Sequence, residues 1–191
     1  MDKKEIIAFF DRMAPEWDKD LIRNEEAIEI ILNKGEVKEG VHILDVACGT
    51  GALFPDYINR DVKVTGIDIS PEMVKAAKDK FPDVQVICAD AQTYNFAKQF
   101  DAVMIYNAFP HFDEPRRLFE NLHSALKIKG RLTVAHGMSE KELQKCHSEK
   151  AGKVSSPLPS KEKLAEMMSS FFRIDVMISD EKMYMVSGVK F

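Results

Sequence analysis

The chain has 191 residues, 45% of them hydrophobic and 30% charged, a balance that belongs to a folded globular protein and excludes a disordered one. With 27 Lys and Arg against 31 Asp and Glu, the net charge is −4. No basic excess is left to neutralise a phosphate backbone, so nucleic acid is not an expected partner.

Residues 1–40 read as a helical lid. Met1-Asp2-Lys3-Lys4-Glu5 has none of the apolar core of a signal peptide. Ile6, Phe9, Phe10 and Met13 share one helical face and read as packing residues, and Ala27-Ile28-Ile30-Ile31-Leu32 is a second amphipathic run. From residue 41 onward, short Val/Ile-rich stretches alternate with helical segments. The predicted strands are Val41–Val46, Val62–Ile69, Val84–Ala89, Asp101–Tyr106 and Arg131–Ala135, then Phe172–Ser179 and Met183–Phe191. Helix starts fall between them. Ser70-Pro71-Glu72 offers a cap, a first-turn proline and an acid at the positive helix end. Asp113-Glu114-Pro115 is similar, and Ser139-Glu140-Lys141-Glu142 is a capping box.

Strand–helix alternation predicts βαβ units: an α/β, Rossmann-like, doubly wound sheet of seven strands with helices on both faces, in one domain over 1–191. Only Asp180-Glu181-Lys182 separates the last two strands, so the last strand is expected to be antiparallel. No apolar run approaches the ~20 residues that cross a bilayer. Cys48, Cys88 and Cys146 are odd in number and far apart, which suits a reducing cytoplasm.

Ligands of open α/β sheets bind beyond the carboxyl ends of the strands. The first strand runs into Asp45-Val46-Ala47-Cys48-Gly49-Thr50-Gly51, where Gly49 and Gly51 permit a tight turn and a close ligand. Asp68 ends the second strand, where a ribose-binding carboxylate belongs, and Asp90-Ala91 follows the third. A dinucleotide loop would place a third glycine where Phe54 stands. Asp45 is also poor company for a pyrophosphate and good company for a cation. A phosphate-free adenosyl cation, S-adenosylmethionine, suits these features.

Ile43-Leu44-Asp45-Val46-Ala47-Cys48-Gly49-Thr50-Gly51 resembles motif I of the class I S-adenosylmethionine-dependent methyltransferases, with Ala47 where that family usually has its first glycine. Val64 to Met73 is similar to the ribose motif, Ala89-Asp90-Ala91-Gln92 to the adenine motif, Phe100 to Asn107 to the fourth motif, and Leu126 to Leu132 to the turn before the fifth strand. Phe9 to Asp18 resembles the cofactor-covering helix of the ubiquinone/menaquinone branch. The resemblance implies that Asp45, Ala47, Gly49, Gly51, Asp68, Ile69, Met73, Asp90, Ala91 and Asn107 hold the cofactor. Trp17 is expected either to lie over it or to anchor the lid.

The acceptor is expected to be a small molecule. The residues 1–40 and 139–170 form its roof, and the protein is a monomer or homodimer. His111 and His136 follow the fourth and fifth strands and are the candidate proton acceptors, since histidine titrates near neutral pH. If the helix after Ser139 folds back, His147 and Cys146 join His136, although no metal is assigned. Two rival readings remain open: an NAD(P)-dependent oxidoreductase and a non-catalytic S-adenosylmethionine-binding module.

Overall fold

The computed structural model describes residues 2–19, 23–97, 99–146 and 154–191. Seven strands form one sheet: β1 (His42–Val46), β2 (Lys63–Asp68), β3 (Gln85–Cys88), β4 (Phe100–Tyr106), β5 (Leu126–His136), β6 (Phe172–Ser179) and β7 (Tyr184–Lys190). Their order is β3-β2-β1-β4-β5-β7-β6. The strands β1 to β5 are parallel, and β7 runs antiparallel to both of its neighbours, β5 and β6. The chain moves outward from β1 to β3, then returns to the other side of β1 for β4. That reversal is a topological switch point, and it leaves a crevice above the carboxyl ends of β1 and β4.

Strand alternation sends the core to both faces of the sheet. On one face Leu44, Val46, Val103, Ile105, Leu132 and Val134 pack under the helices α5 (Pro115–Ala125) and α7 (Lys161–Met168). On the other, Ile43, Val64, Met104 and Met185 pack under α2 (Glu25–Lys34), α3 (Phe54–Asn59) and α4 (Pro71–Lys80). The apolar stripe Leu118, Phe119, Leu122 and Ala125 explains why α5 seats as it does: all four are fully buried. Each large side chain so buried contributes about 1.5–3 kcal/mol. Ser70 caps α4 through Met73 N at 3.2 Å, and Pro71 opens the helix. The capping box ahead of α6 (Glu140–Cys146) forms as expected, with Ser139 Oγ accepting from Glu142 N at 3.2 Å and Glu142 accepting from Ser139 N at 3.1 Å.

Most strand ends fall within a residue of the sequence reading, and the larger departures are at β5 and in the lid. β5 begins at Leu126 rather than Arg131, because Leu126 pairs with Phe100 before the chain bulges out and resumes pairing at Arg131 with Ala102. Lys129 takes φ 64° inside that bulge. The lid is also narrower than residues 1–40. Among the described residues of that range, α1 (Lys3–Met13) and the 3-10 turn Ala14–Glu16 cover the strand ends with Trp17, whereas α2 is a flanking helix of the sheet. Likewise α7 flanks the sheet and is no part of the roof.

Polar contacts tie the lid to three different loops. Lys3 pairs with Asp90 at 2.7 Å, and Asp11 accepts from Ser70 Oγ at 2.6 Å and Glu72 N at 3.2 Å. Asp18 accepts from Thr50 Oγ1 at 2.6 Å and from Lys80 at 2.7 Å.

Candidate functional site

β1 leaves the sheet through two left-handed residues, Ala47 at φ 55° and Gly49 at φ 54°, and Gly51 follows at φ 85°. Each glycine has its own reason. A Cβ on Gly49 would face open space, with Met73 Sδ as its nearest neighbour at 4.0 Å, so the bare backbone there can meet a ligand. A Cβ on Gly51 would strike the Phe54 ring at 2.7 Å. Ala47 carries the steric cost of its conformation, about 1–2 kcal/mol for an L-residue. Part of that returns as unfolded-chain entropy when glycine replaces alanine. Ala47→Gly is therefore expected to stabilise the protein by roughly 0.5–1 kcal/mol in thermal unfolding, with cofactor affinity unchanged.

Asp68 ends β2 buried, its carboxylate held by two backbone donors: Gly49 N to one oxygen and Ser70 N to the other, both at 2.9 Å. Burial raises its pKa, while the Ser70, Gly49 and Ile69 amides oppose the rise. Each oxygen keeps a further lone pair for a ligand hydroxyl. Beyond β3, Asp90 accepts from Gln92 N at 2.9 Å as well as from Lys3. Gln92 in turn donates to Asp113 at 3.0 Å and accepts from Glu114 N, fixing the loop that leads into α5. At the end of β4, Asn107 adopts φ 54° and accepts from Gly137 N at 3.0 Å.

A single cleft gathers Trp17, Ala47, Gly49, Asp68, Ile69, Met73, Asp90, Ala91, Asn107 and His111. Three predicted site residues stand outside it. Gly51 lies behind the loop against Phe54. Asp45 shares the face of Ile43 and points into the core beside Tyr57, so it does not line the cleft. His136 shares the parity of Leu132 and Val134 and is wholly buried, its ring edge-on to Tyr184 at 5.9 Å. His147 lies outside the described residues, and among those described no group of three or more His, Cys, Asp or Glu is placed to hold a metal.

Sequence reasoning missed several lining residues. Phe10, expected to be packing, faces the cleft, edge-on to His111 at 5.0 Å and to Trp17 at 5.7 Å; Met13 is exposed. Lys3, Gln92 and Tyr106 also line it. His111 donates through Nδ1 to the Val154 carbonyl at 2.8 Å, which leaves Nε2 as the basic nitrogen of the neutral ring.

Burial, then the negative charge of Asp68, pushes the Asp45 carboxyl up to about 8; the Tyr57 hydroxyl beside it opposes the rise. Asp45 is thus a neutral acid near pH 7.

The same loop tests for a diphosphate. α3 has Pro55, which lacks an N–H, as its second residue and carries Asp56 in its first turn, already paired with Arg23 at 2.9 Å. Phe54 fills the space over Gly66. A helix end short of a donor and bearing a carboxylate is unsuited to phosphates. A buried ribose acid, an open glycine and apolar Ile69 and Met73 instead suit an adenosyl group without them. Fold and cleft thus define a nucleoside-binding protein of the Rossmann-like type.

Comparison with known proteins carries this further. Residues 43–130 match the methyltransferase domain family. The demethylmenaquinone methyltransferase of Paenarthrobacter aurescens is 33% identical over 137 residues, covering 69% of this chain and 54% of that protein. A malonyl-[acyl-carrier protein] O-methyltransferase of Ilyobacter polytropus is 30% identical over 141 residues, covering 71% and 53%. Among solved structures, an Aquifex aeolicus SAM dependent methyltransferase superposes with a TM-score of 0.69 at 18% identity, over 90% of this chain and 100% of that one. Residues 43–130 are thus a methyltransferase domain, and the chain shares the fold of the S-adenosylmethionine-dependent methyltransferases, whose cofactor the cleft suits. The chain spans about half the length of the curated relatives it matches.

Proposed function

We propose that this chain transfers the methyl group of S-adenosylmethionine to a small-molecule acceptor. The observation that carries the reading is the buried Asp68 carboxylate, presented by Gly49 and Ser70 amides at the rim of a cleft roofed by α1. When bound, the cofactor would supply a methyl on a sulfonium, open to in-line attack at carbon with neutral S-adenosylhomocysteine as the leaving group. Asp68 would hold the ribose hydroxyls, Ile69 and Met73 would flank the adenine, and Asp90 would accept from its amine. Phe10 and Trp17 keep water out, so that alignment of acceptor and methyl lowers the barrier. Where the acceptor carries a proton of high pKa, His111 Nε2 takes it. His136 has no part in the reaction, being walled from the cleft.

The acceptor is not borrowed from the relatives. Their names point to two unlike acceptors at nearly equal identity, 33% and 30%, so what this chain shares with both is the cofactor half. A small molecule is favoured by the roof, which places Phe10 and Trp17 over the strand ends and narrows the cleft.

The test is calorimetry with S-adenosylmethionine, S-adenosylhomocysteine and NAD, followed by release of S-adenosylhomocysteine over a panel of phenols, thiols, amines and carboxylic acids. Micromolar binding of the first two and turnover with one acceptor class are expected. His111→Gln should slow turnover with acceptors that must lose a proton, while leaving cofactor binding unchanged. A preference for NAD overturns the reading.

A further inference from the structure

We infer that Tyr106 is an acceptor-binding residue: its hydroxyl donates a hydrogen bond to an oxygen or nitrogen lone pair on the molecule to be methylated. The inference rests on the methyltransferase reading above.

Sheet order fixes which end of the cleft is which. Asp90 follows β3, Asp68 ends β2, the glycine loop follows β1, and Tyr106 ends β4. With adenine at β3 and ribose at β2, the sulfonium end of the cofactor points toward β1 and β4. Tyr106 lies past that end, on the side from which an acceptor approaches.

The hydroxyl itself is accommodated. Tyr106 is half-buried, its ring packed against the core on the α2–α4 face while it lines the cleft. Asn107 follows it at the strand end, with its Oδ1 accepting from Gly137 N at 3.0 Å. Among the described residues no acceptor takes the proton of the Tyr106 hydroxyl, which is left for a ligand in the cleft. Gly137 supplies the room. A Cβ there would overlap the Tyr106 hydroxyl and lie 3.2 Å from Cζ, so the position accommodates an oxygen that phenylalanine would not need. Burial raises the phenol to about 12, which keeps it a donor throughout the physiological range. Phe10, Trp17 and Ala108 line the same cleft, and a hydrocarbon acceptor there would leave the hydroxyl donor unsatisfied. The acceptor class is a hydroxyl, carbonyl or carboxyl compound, or a nitrogen counterpart.

The experiment uses the full chain saturated with S-adenosylhomocysteine and two probes of one shape, 4-nitrophenol and 4-nitrotoluene. Wild type is expected to bind nitrophenol more tightly. Tyr106→Phe should lose about tenfold in nitrophenol affinity, with nitrotoluene and S-adenosylhomocysteine affinities unchanged. Gly137→Ala should also lose nitrophenol selection, and the cost to thermal stability should shrink when Tyr106→Phe is added. Equal nitrophenol affinity in wild type and Tyr106→Phe overturns the inference, as does failure of wild type to bind either probe. If Tyr106→Phe instead weakens S-adenosylhomocysteine tenfold, the hydroxyl serves the cofactor, and the inference falls while the methyltransferase reading stands. Absence of S-adenosylhomocysteine binding in wild type overturns that reading itself.

Discussion

Asp68→Ala is expected to weaken S-adenosylhomocysteine binding by about 100-fold or more. Two ribose hydroxyls donating to a charged acceptor contribute about 1.5–3 kcal/mol each, and every 1.4 kcal/mol is a factor of ten. The substitution also deprives Gly49 N and Ser70 N of their acceptor, so the loop and the start of α4 lose their mutual alignment. Asp68→Asn keeps the shape but puts a donor where an acceptor is needed, and should fall between the two. Titration calorimetry reads all three proteins, with circular dichroism to confirm that each is folded. An Asp68→Ala protein within threefold of wild type would show that the ribose lies elsewhere.

Asp45 carries the second large effect, and it is a proton effect. In the folded chain without ligand its carboxyl titrates near 8, whereas an unfolded aspartate titrates at about 3.9. Between those limits the folded state holds a proton that the unfolded state has lost. Stability is then highest at the acid end of the window and falls, by on the order of a few kcal/mol, as pH rises toward 8. Thermal melts across that range should show the decline, and Asp45→Asn, neutral at every pH, should flatten it. A cation entering the cleft favours the ionised form. Binding of S-adenosylmethionine near pH 7 should therefore release part of a proton, read as a dependence of the calorimetric heat on buffer ionisation enthalpy. A heat independent of buffer would refute the coupling.

The strands were legible because their Val/Ile runs are short, separated and flanked by turn residues, and the strand ends carried the cofactor motifs with them. Asp68 and Asp90 could be placed from sequence since each stands one residue past an apolar run. Side-chain direction was the weaker part. Asp45 and His136 were assigned by nearness to a strand end, yet alternation along β1 and β5 turns both into the core. Counting parity from Leu132 and Val134 would have shown this for His136, and would have drawn attention to Tyr106. The left-handed turn at Ala47 was signalled only by the resemblance, in which a glycine usually stands there, because an alanine by itself gives no sign of positive φ. Lys3 reaches Asp90 across 87 positions, a contact that no local pattern encodes.

The central position of β1 also sets an order on assembly. Its partners come from Lys63–Asp68 and Phe100–Tyr106, so a chain emerging from the ribosome cannot flank β1 on both sides until Tyr106 has been made. Pairings so distant in sequence cost loop-closure entropy before they return any contact. The glycine turn can form early, but it gains a rigid floor late, and ligand capture should be the last property a nascent or refolding molecule acquires.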